Sequence, residues 1–229
     1  MTVELLAPAG SLDAARAAFS AGADAVYFGM PRFSARASAK NFNREELLIL
    51  KGLAESANGR IYCAFNTLIQ EDELSAVYDD LHFLSLIGIN GLIIQDIGLY
   101  HLVQQYFPDI PLHASTQMNI HNQAGIRQIQ RLGFKRAVLS RELSLEDIRT
   151  IAQDPGRTVE LEVFVHGAMC YSVSGLCLAS GYSCGRSGNR GECAQICRSF
   201  FLDSKGKKGF FFSLNDLAAG QLACTLRDI

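Results

Sequence analysis

Five of the seven cysteines in this 229-residue chain lie between positions 170 and 197, where they could together hold a metal. From Cys170 the spacing is C-x6-C to Cys177, C-x15-C to Cys193 and C-x3-C to Cys197, with Cys184 in between. Thiolates this close in sequence are readily oxidised unless they are coordinated. Four thiolates satisfy either a [4Fe–4S] cluster or a tetrahedral zinc ion. The spacing matches neither common zinc ribbons nor ferredoxins, so both metals stay open.

The two remaining cysteines have a different character. Cys63 lies in an apolar run and Cys224 on a helical stripe, where cysteine is ordinarily a small core residue. An odd number of cysteines, most of them clustered, argues against a secreted disulfide framework. The first residues show no secretory signal, and no apolar run approaches the ~20 residues that a membrane span needs. We therefore expect a cytoplasmic protein that does not enter a membrane.

A second group of chemistry-bearing residues stands where apolar runs turn polar, at the ends of predicted strands. These positions are Tyr27, Asn66, Asp96, Gln117, Arg141 and His166. In a β/α barrel the strand ends meet at one rim, which is where active sites form. The alternative is that these residues have no function in a site and are polar only because the chain reaches solvent at the ends of buried strands.

Each of these side chains suits a particular role. His166 can carry a proton near neutral pH, although a lone histidine after a strand is more often structural. Arginine forks can hold carboxylates or phosphates, and asparagines can orient a polar ligand. We predict as catalytic residues His166, Arg141, Asn66 and Gln117. We predict as substrate-binding residues Tyr27, Asn41, Arg186 and Arg190.

The segment GYSCGRSGNRGEC at 181–193 joins the second and third of the four spaced cysteines. Its glycines allow close backbone approach, and its two arginines could dock an anion or an RNA phosphate. The equally favoured alternative is a mobile loop that wraps the cluster.

The elements that must position these residues alternate along the chain. Short β-rich runs are predicted at 3–8, 25–29, 61–68, 91–96, 112–118, 136–140 and 159–165. Helical periodicity separates them at 11–22, 45–56, 71–86, 99–106, 124–132 and 145–152. Such alternation predicts a parallel sheet with right-handed crossovers, and seven strands favour a TIM-type barrel over a doubly wound sheet. Ser11, Asn43 and Ser144 fit helix N-caps, and Gly22, Gly88 and Gly133 fit C-caps.

Composition supports one soluble domain over residues 1–229. With 48% hydrophobic residues and a formal charge of −2, the chain can bury a full core but has no global basic field. We expect β/α repeats over 1–168, a Cys-rich cluster-binding insertion over 169–200 after strand 7, and the start of a last β/α unit over 201–229. That unit would contain a strand at 210–213 and a helix, and we expect the barrel to be incomplete at its C-terminal end.

Several sequence blocks resemble a known family. ELEVFVHGAMCYSVSGLC at 160–177 and RSGNRGECAQIC at 186–197 resemble the peptidase U32 family, the collagenase-like proteins. The opening at 4–29 and HASTQMNIHN at 113–122 are also similar. The resemblance implies a barrel-type fold, and its better-understood members are oxygen-independent hydroxylases with a [4Fe–4S] cluster. Some act on tRNA or ribosomal RNA with prephenate as donor, others on a ubiquinone precursor. It places the ligands on Cys170, Cys177, Cys193 and Cys197 and leaves Cys184 without a counterpart.

Three hypotheses follow. The leading one is a cluster-dependent hydroxylase of RNA that uses a small dicarboxylate donor such as prephenate. The second is a peptidase, although the sequence contains no G-x-S-x-G elbow and no H-E-x-x-H helix. The third is a non-catalytic, cluster-bearing chain that needs a partner subunit.

Overall fold

The fold is known from a computed structural model that describes residues 3–35, 37, 40–167, 170–173 and 176–209. The strands are β1 Leu6–Pro8, β2 Ala25–Gly29, β3 Arg60–Ala64, β4 Gly91–Ile94, β5 Leu112–Ala114, β6 Arg136–Val138, β7 Glu160–Glu162, β8 Phe201–Leu202 and β9 Lys208–Gly209. The helices are α1 Leu12–Ser20, α2 Arg44–Ser56, α3 Leu74–Ile87, α4 Ile97–Tyr106, α5 Gln123–Arg131, α6 Leu145–Ala152 and α7 Ala179–Cys184.

The first seven strands form one parallel sheet in which each strand pairs with the next along the chain. The sheet is curled, because Glu4 just before β1 reaches Arg136 on β6, with 2.7 Å between Oε1 and Nη1. The prediction of a barrel-type β/α fold is therefore confirmed as seven strands curled into a half-barrel. The predicted strand at 210–213 and the helix after it lie outside the described residues.

The helices begin where side-chain caps satisfy their free N–H groups. The side chains of Ser11, Asn43 and Ser144 accept hydrogen bonds from the first turns of α1, α2 and α6, as predicted. Gly88 ends α3 in the left-handed region at φ 67°, which a side chain would strain. These caps set the helix ends within one or two residues of the predicted bounds, apart from α3, whose first turn is a 3-10 turn at Glu71–Glu73.

Several predicted strands are too long. The third was predicted over 61–68, but β3 ends at Ala64, and the fifth was predicted over 112–118, but β5 ends at Ala114. In the fifth unit a 3-10 turn at Thr116–Met118 follows directly, started by the Ser115 hydroxyl, which accepts the Gln117 N–H. The sequence also failed to predict the antiparallel hairpin of β8 and β9.

The two faces of the curled sheet differ in chemistry. Outward-facing strand residues such as Val26, Ile61 and Leu92 are fully buried against the helices, each burial contributing roughly 1.5–3 kcal/mol. The inner face carries a small apolar group around Ala25, Tyr62 and Ile93. Below that group, near the amino ends of the strands, the interior is charged.

The charged interior is organised around Arg136. Its guanidinium donates to Glu4 and to Glu160, lies 3.6 Å from Glu162, and stacks 5.0 Å from the ring centre of Tyr62. Glu4 also accepts from the Tyr62 hydroxyl at 2.9 Å. Contacts between residues on β3, β6 and β7 and the chain before β1 therefore fasten the inside of the half-barrel at its amino end.

None of the helices in the described part of the chain combines the length and the apolar character of a membrane span.

Candidate functional site

The cysteine-bearing segment leaves β7 and lies against loops at the carboxyl end of the sheet. Gly191 is buried there with φ 85°, and a Cβ atom on it would collide with the backbone of Ser34 and Ala37. Two backbones can meet this closely only because residue 191 has no side chain. The segment is therefore seated directly on the loop that follows β2.

Arg190 fixes the same segment to the loop that follows β3. Its guanidinium donates to both carboxylate oxygens of Glu73, at 2.5 and 3.0 Å, and to the backbone oxygen of Leu68 at 2.6 Å. This hydrogen bonding holds the pKa of Glu73 below its usual range. We call the Arg190–Glu73 pair, together with the Gly191 contact, the anchor of the segment.

Breaking the anchor should loosen the segment. Glu73→Gln removes one charge and one oxygen acceptor from a half-buried, two-point pair, so we expect about 1 kcal/mol of local destabilisation. In the metal-free chain this should raise the alkylation rate of the partly buried thiols of Cys170, Cys177 and Cys197 about fivefold, because opening of the segment becomes easier. The measurement is thiol labelling followed by peptide mapping.

The matched control is Glu146→Gln, which removes an exposed carboxylate paired with Arg149 at 2.7 Å on α6. It should leave the labelling rates unchanged. Equal labelling rates in the Glu73→Gln variant and the native chain would contradict the role of the anchor.

Hydrogen bonds distinguish the cysteines from one another. The sulfur of Cys177 accepts the N–H of Ala179, and the sulfur of Cys193 accepts the N–H of Gln195, each at 3.4 Å. Backbone N–H groups directed at sulfur stabilise a thiolate and tune iron–sulfur centres. The thiol of Cys184 instead donates to the backbone oxygen of Ser180 at 3.1 Å, one turn back on α7. The thiol of Cys184 is therefore already engaged within α7.

The other thiols of the set are neighbours. Burial raises the pKa of the Cys197 thiol, Arg198 opposes that effect, and the adjacent thiols of Cys170 and Cys193 raise the pKa further. Gly188 lies between the backbone of Cys177 and the side chain of Cys193, within 4 Å of both for an added Cβ. The four residues predicted as ligands thus belong to one region of the segment.

This donor set fits an iron–sulfur cluster in its chemistry. It offers four thiols, two of them already receiving N–H groups, and no described bond commits them to a disulfide. Among the residues the structure describes, no group of three or more His, Cys, Asp or Glu side chains is close enough to hold a metal ion. Coordination would therefore require the sulfurs to draw together.

The predicted rim residues divide into two groups. Tyr27 is not at a strand end, because it occupies the middle of β2 opposite Tyr62, so this placement is corrected. Asn66 follows β3, but its side-chain oxygen accepts the N–H of Ala35 and its backbone oxygen accepts from Gln95. Asp96 caps α4. These contacts position loops at the rim.

The remaining predicted residues lie nearer to the open rim. Asn41 approaches the end of β2 through Gly29, where an added Cβ would lie 2.5 Å from its Oδ1. Gln117 lies in the turn after β5. His166 and Arg186 are exposed, whereas Arg190 is held in the anchor. Their catalytic and substrate-binding roles stay predictions.

Arg141 differs from Arg190 in having an unsatisfied donor. Its Nε is buried and has no hydrogen-bond partner among the described residues. It lines a cavity of about 150 Å³ at the ends of β6 and β7, together with Ser140, Leu143 and Phe164. A buried guanidinium N–H without an acceptor is costly, so this position favours an anionic ligand.

Sequence reasoning missed a polar cluster beside Arg141. His121 Nδ1 lies 2.8 Å from the backbone oxygen of Asn119 and 3.1 Å from the Ser140 hydroxyl, and its Nε2 lies 3.9 Å from Glu142. The Oδ1 of Asn119 is buried without a described partner. The sequence block HASTQMNIHN contains Asn119 and His121, but no spacing rule connects this block to residues 140–142.

A half-barrel of parallel strands with an anchored, cysteine-rich segment at its carboxyl end defines a protein of the β/α barrel class. The family model described as Peptidase family U32 matches residues 10–229. The chain therefore belongs to the U32 family, as the sequence blocks indicated.

Three curated proteins are similar to this chain over most of its length. The chain is 41% identical over 205 residues to tRNA hydroxylation protein P of Escherichia coli, covering 90% of this chain and 45% of the relative. It is 40% identical to the 23S rRNA 5-hydroxycytidine C2501 synthase of E. coli over 86% of this chain and 29% of that protein. It is 34% identical to a collagenase of Porphyromonas gingivalis over 85% of this chain and 49% of that protein. The chain thus spans less than half the length of these relatives.

A solved structure described as the U32 peptidase Mk0906 has the same fold. The TM-score is 0.60 at 14% identity, over 72% of this chain and 69% of that one.

Proposed function

We propose that this chain carries the barrel and the cluster-binding segment of an RNA hydroxylase. The observation that carries the proposal is about 40% identity, over most of this chain, to proteins named for hydroxylation of tRNA and of 23S rRNA. An RNA substrate would also place the protein in the cytoplasm, which agrees with clustered, unpaired cysteines.

The cofactor in this proposal is a [4Fe–4S] cluster on Cys170, Cys177, Cys193 and Cys197, with zinc as the alternative. The N–H groups directed at two of these sulfurs support thiolate ligands, and the anchor holds the segment at the rim. A bound cluster would supply electron transfer. Cys184 is left outside the set because its thiol already donates to Ser180.

The overall reaction exchanges a hydrogen for a hydroxyl group. The base C–H becomes C–OH while the donor C–OH becomes C–H, so the base loses two electrons and the donor gains them. A dicarboxylate donor such as prephenate needs a cationic pocket, and the unsatisfied Nε of Arg141 makes it a better candidate than Arg190. His121, which contacts Ser140 beside Arg141, and the predicted His166 would be the groups that transfer protons.

The test begins with the chain purified without oxygen. We expect a brown protein with absorbance near ~400 nm and about four iron atoms per chain. Cys193→Ala should abolish the colour, whereas Cys184→Ala should retain it. A colourless native protein with stoichiometric zinc, or without metal, would exclude the iron–sulfur proposal.

Activity is tested by incubating the holoprotein with the donor and unmodified tRNA or an rRNA fragment, followed by mass spectrometry of nucleosides. A gain of one oxygen atom on a pyrimidine supports hydroxylation. If the coloured protein hydroxylates RNA only after a partner subunit is added, the non-catalytic hypothesis is correct for the isolated chain.

The collagenase relative and the family description favour peptide hydrolysis as a second candidate. The Ser140–His121 contact does not support it. The Asn119 carbonyl can only accept, so Nδ1 carries the proton and cannot take one from the Ser140 hydroxyl. Ser140 is also buried. Release of labelled fragments from a collagen peptide by the pure chain, lost in a Ser140→Ala variant, would support hydrolysis instead.

A further inference from the structure

The segment from 170 to 209 differs in charge from the rest of the molecule. It contains six Lys or Arg residues against two acidic ones, whereas the whole chain has 21 against 23. Both acidic side chains accept hydrogen bonds from backbone N–H groups of the loops in which they lie. Glu192 accepts the N–H of Ser187, and Asp203 accepts the N–H groups of Lys205 and Lys207. One of the six basic residues, Arg190, is paired with Glu73 in the anchor, so five basic side chains stand against two acidic ones and the charge of the segment is positive.

Large aromatic and apolar side chains stand exposed among these charges. Tyr182 on α7 is 95% exposed, and Tyr171 and Phe200 are more than half exposed. Leu178 and Leu202 in the same segment are also exposed. Soluble proteins rarely present so many large apolar side chains together unless a partner covers them.

We propose that the exposed cationic and aromatic side chains of the segment 170–209 bind single-stranded RNA. Exposed aromatic rings interleaved with Lys and Arg form the kind of surface on which bases stack while phosphates are neutralised. An acidic protein partner would use the charges but would not require exposed rings. The inference rests on the proposed function for the choice of RNA, and it places the RNA against the segment that carries the cysteines.

In this proposal an RNA base stacks on the ring of Tyr182, and the lysines of the hairpin neutralise RNA phosphates. Tyr182 has the largest exposed ring and lies on the helix between Cys177 and Cys193. Lys205, Lys207 and Lys208 are exposed on the hairpin of β8 and β9. Cys193 and Cys197 lie between α7 and this hairpin along the chain, so RNA that contacts both elements would run along the cysteine-bearing segment.

The experiment measures fluorescence anisotropy of a labelled single-stranded oligoribonucleotide, with both metal-free and anaerobically purified protein. Tyr182→Ala should weaken binding about tenfold, while Tyr182→Phe should bind like the native chain. The double variant Lys205→Gln/Lys207→Gln should reduce the slope of log K against log salt by about 1.4. Duplex RNA of equal length should bind more weakly than the single strand.

Matched controls lie on the other side of the molecule. Tyr106→Ala removes an exposed ring on α4, and Arg131→Gln/Lys135→Gln removes two exposed charges near the end of α5. Neither should change RNA affinity.

Controls as damaging as the test variants, equal binding of duplex RNA, or displacement of RNA by polyglutamate would overturn the inference. Because RNA binding is also measured with the metal-free chain, the test of this inference does not depend on whether the protein holds an iron–sulfur cluster. If the protein is coloured but Tyr182→Ala does not change its RNA affinity, the proposed RNA-binding role of this segment is wrong, while the proposed hydroxylase function is not affected.

Discussion

Replacing Arg136 with methionine is expected to lower the free energy of unfolding by about 3–5 kcal/mol. The Arg136 side chain is only 8% exposed and is bonded to Glu4 and Glu160, with Glu162 at 3.6 Å. Methionine fills similar space but leaves the Glu4 carboxylate with only the half-exposed Arg60 as counter-charge, and it removes the arginine that opposes the burial of Glu162. The measurement is urea unfolding at pH 7, followed by circular dichroism.

The control for this prediction is Arg149→Met, which breaks a pair with Glu146 at 2.7 Å in which both side chains are exposed. We expect that loss to stay below about 1 kcal/mol. In a double-mutant cycle, adding Glu4→Gln to Arg136→Met should recover part of the stability, because one buried charge is removed. A loss for Arg136→Met as small as the loss for Arg149→Met would show that the interior network is not stabilising.

The second large effect is a change in how stability depends on pH. Burial, only partly opposed by Arg136, raises the pKa of Glu162 from about 4.5 to about 7. The native state therefore holds a proton that the unfolded state releases, and stability falls as the pH rises from about 4.5 to about 7. Glu162→Gln should remove that loss, giving up to about 3 kcal/mol more stability than the native chain at pH 8.

Glu160→Gln is the matched control, because Glu160 is on the same strand and binds the same arginine but is 62% exposed. It should give no gain at pH 8. Unfolding curves at pH 4.5, 6 and 8 separate the cases. If the difference between Glu162→Gln and the native chain does not grow with pH, the carboxyl group is not protonated inside the barrel.

Local signals in the sequence predicted much of the fold. Ser11, Asn43 and Ser144 cap helices because their short polar side chains reach free N–H groups nearby, a rule that needs only a few residues of sequence. The alternation of strands and helices, together with the parallel pairing that it requires, is equally local in origin. Strand ends were less predictable. Asn66 leaves the sheet for a loop whose partner, Ala35, is distant in sequence, and Gln117 lies in a 3-10 turn that begins directly after β5.

The contacts that the sequence could not predict join distant positions. Arg136 was predicted only as the first residue of a strand, and nothing near it indicates a bond to Glu4, 132 residues away. The same holds for His121 and Ser140, which meet because β5 and β6 are neighbours in the sheet. The cysteine set was visible because its members are close in sequence, whereas its anchor was not.

The anchor also fixes the order in which this region can form. Arg190 and Glu73 are 117 residues apart, so the loops after β2 and β3 are made long before the cysteines are synthesised. The thiols therefore leave the ribosome after the loops against which their segment docks. Docking of the segment is a late, long-range step of folding. Any ligand that binds the thiols only in the docked segment will stabilise the first β/α units by mass action, even though it touches none of them.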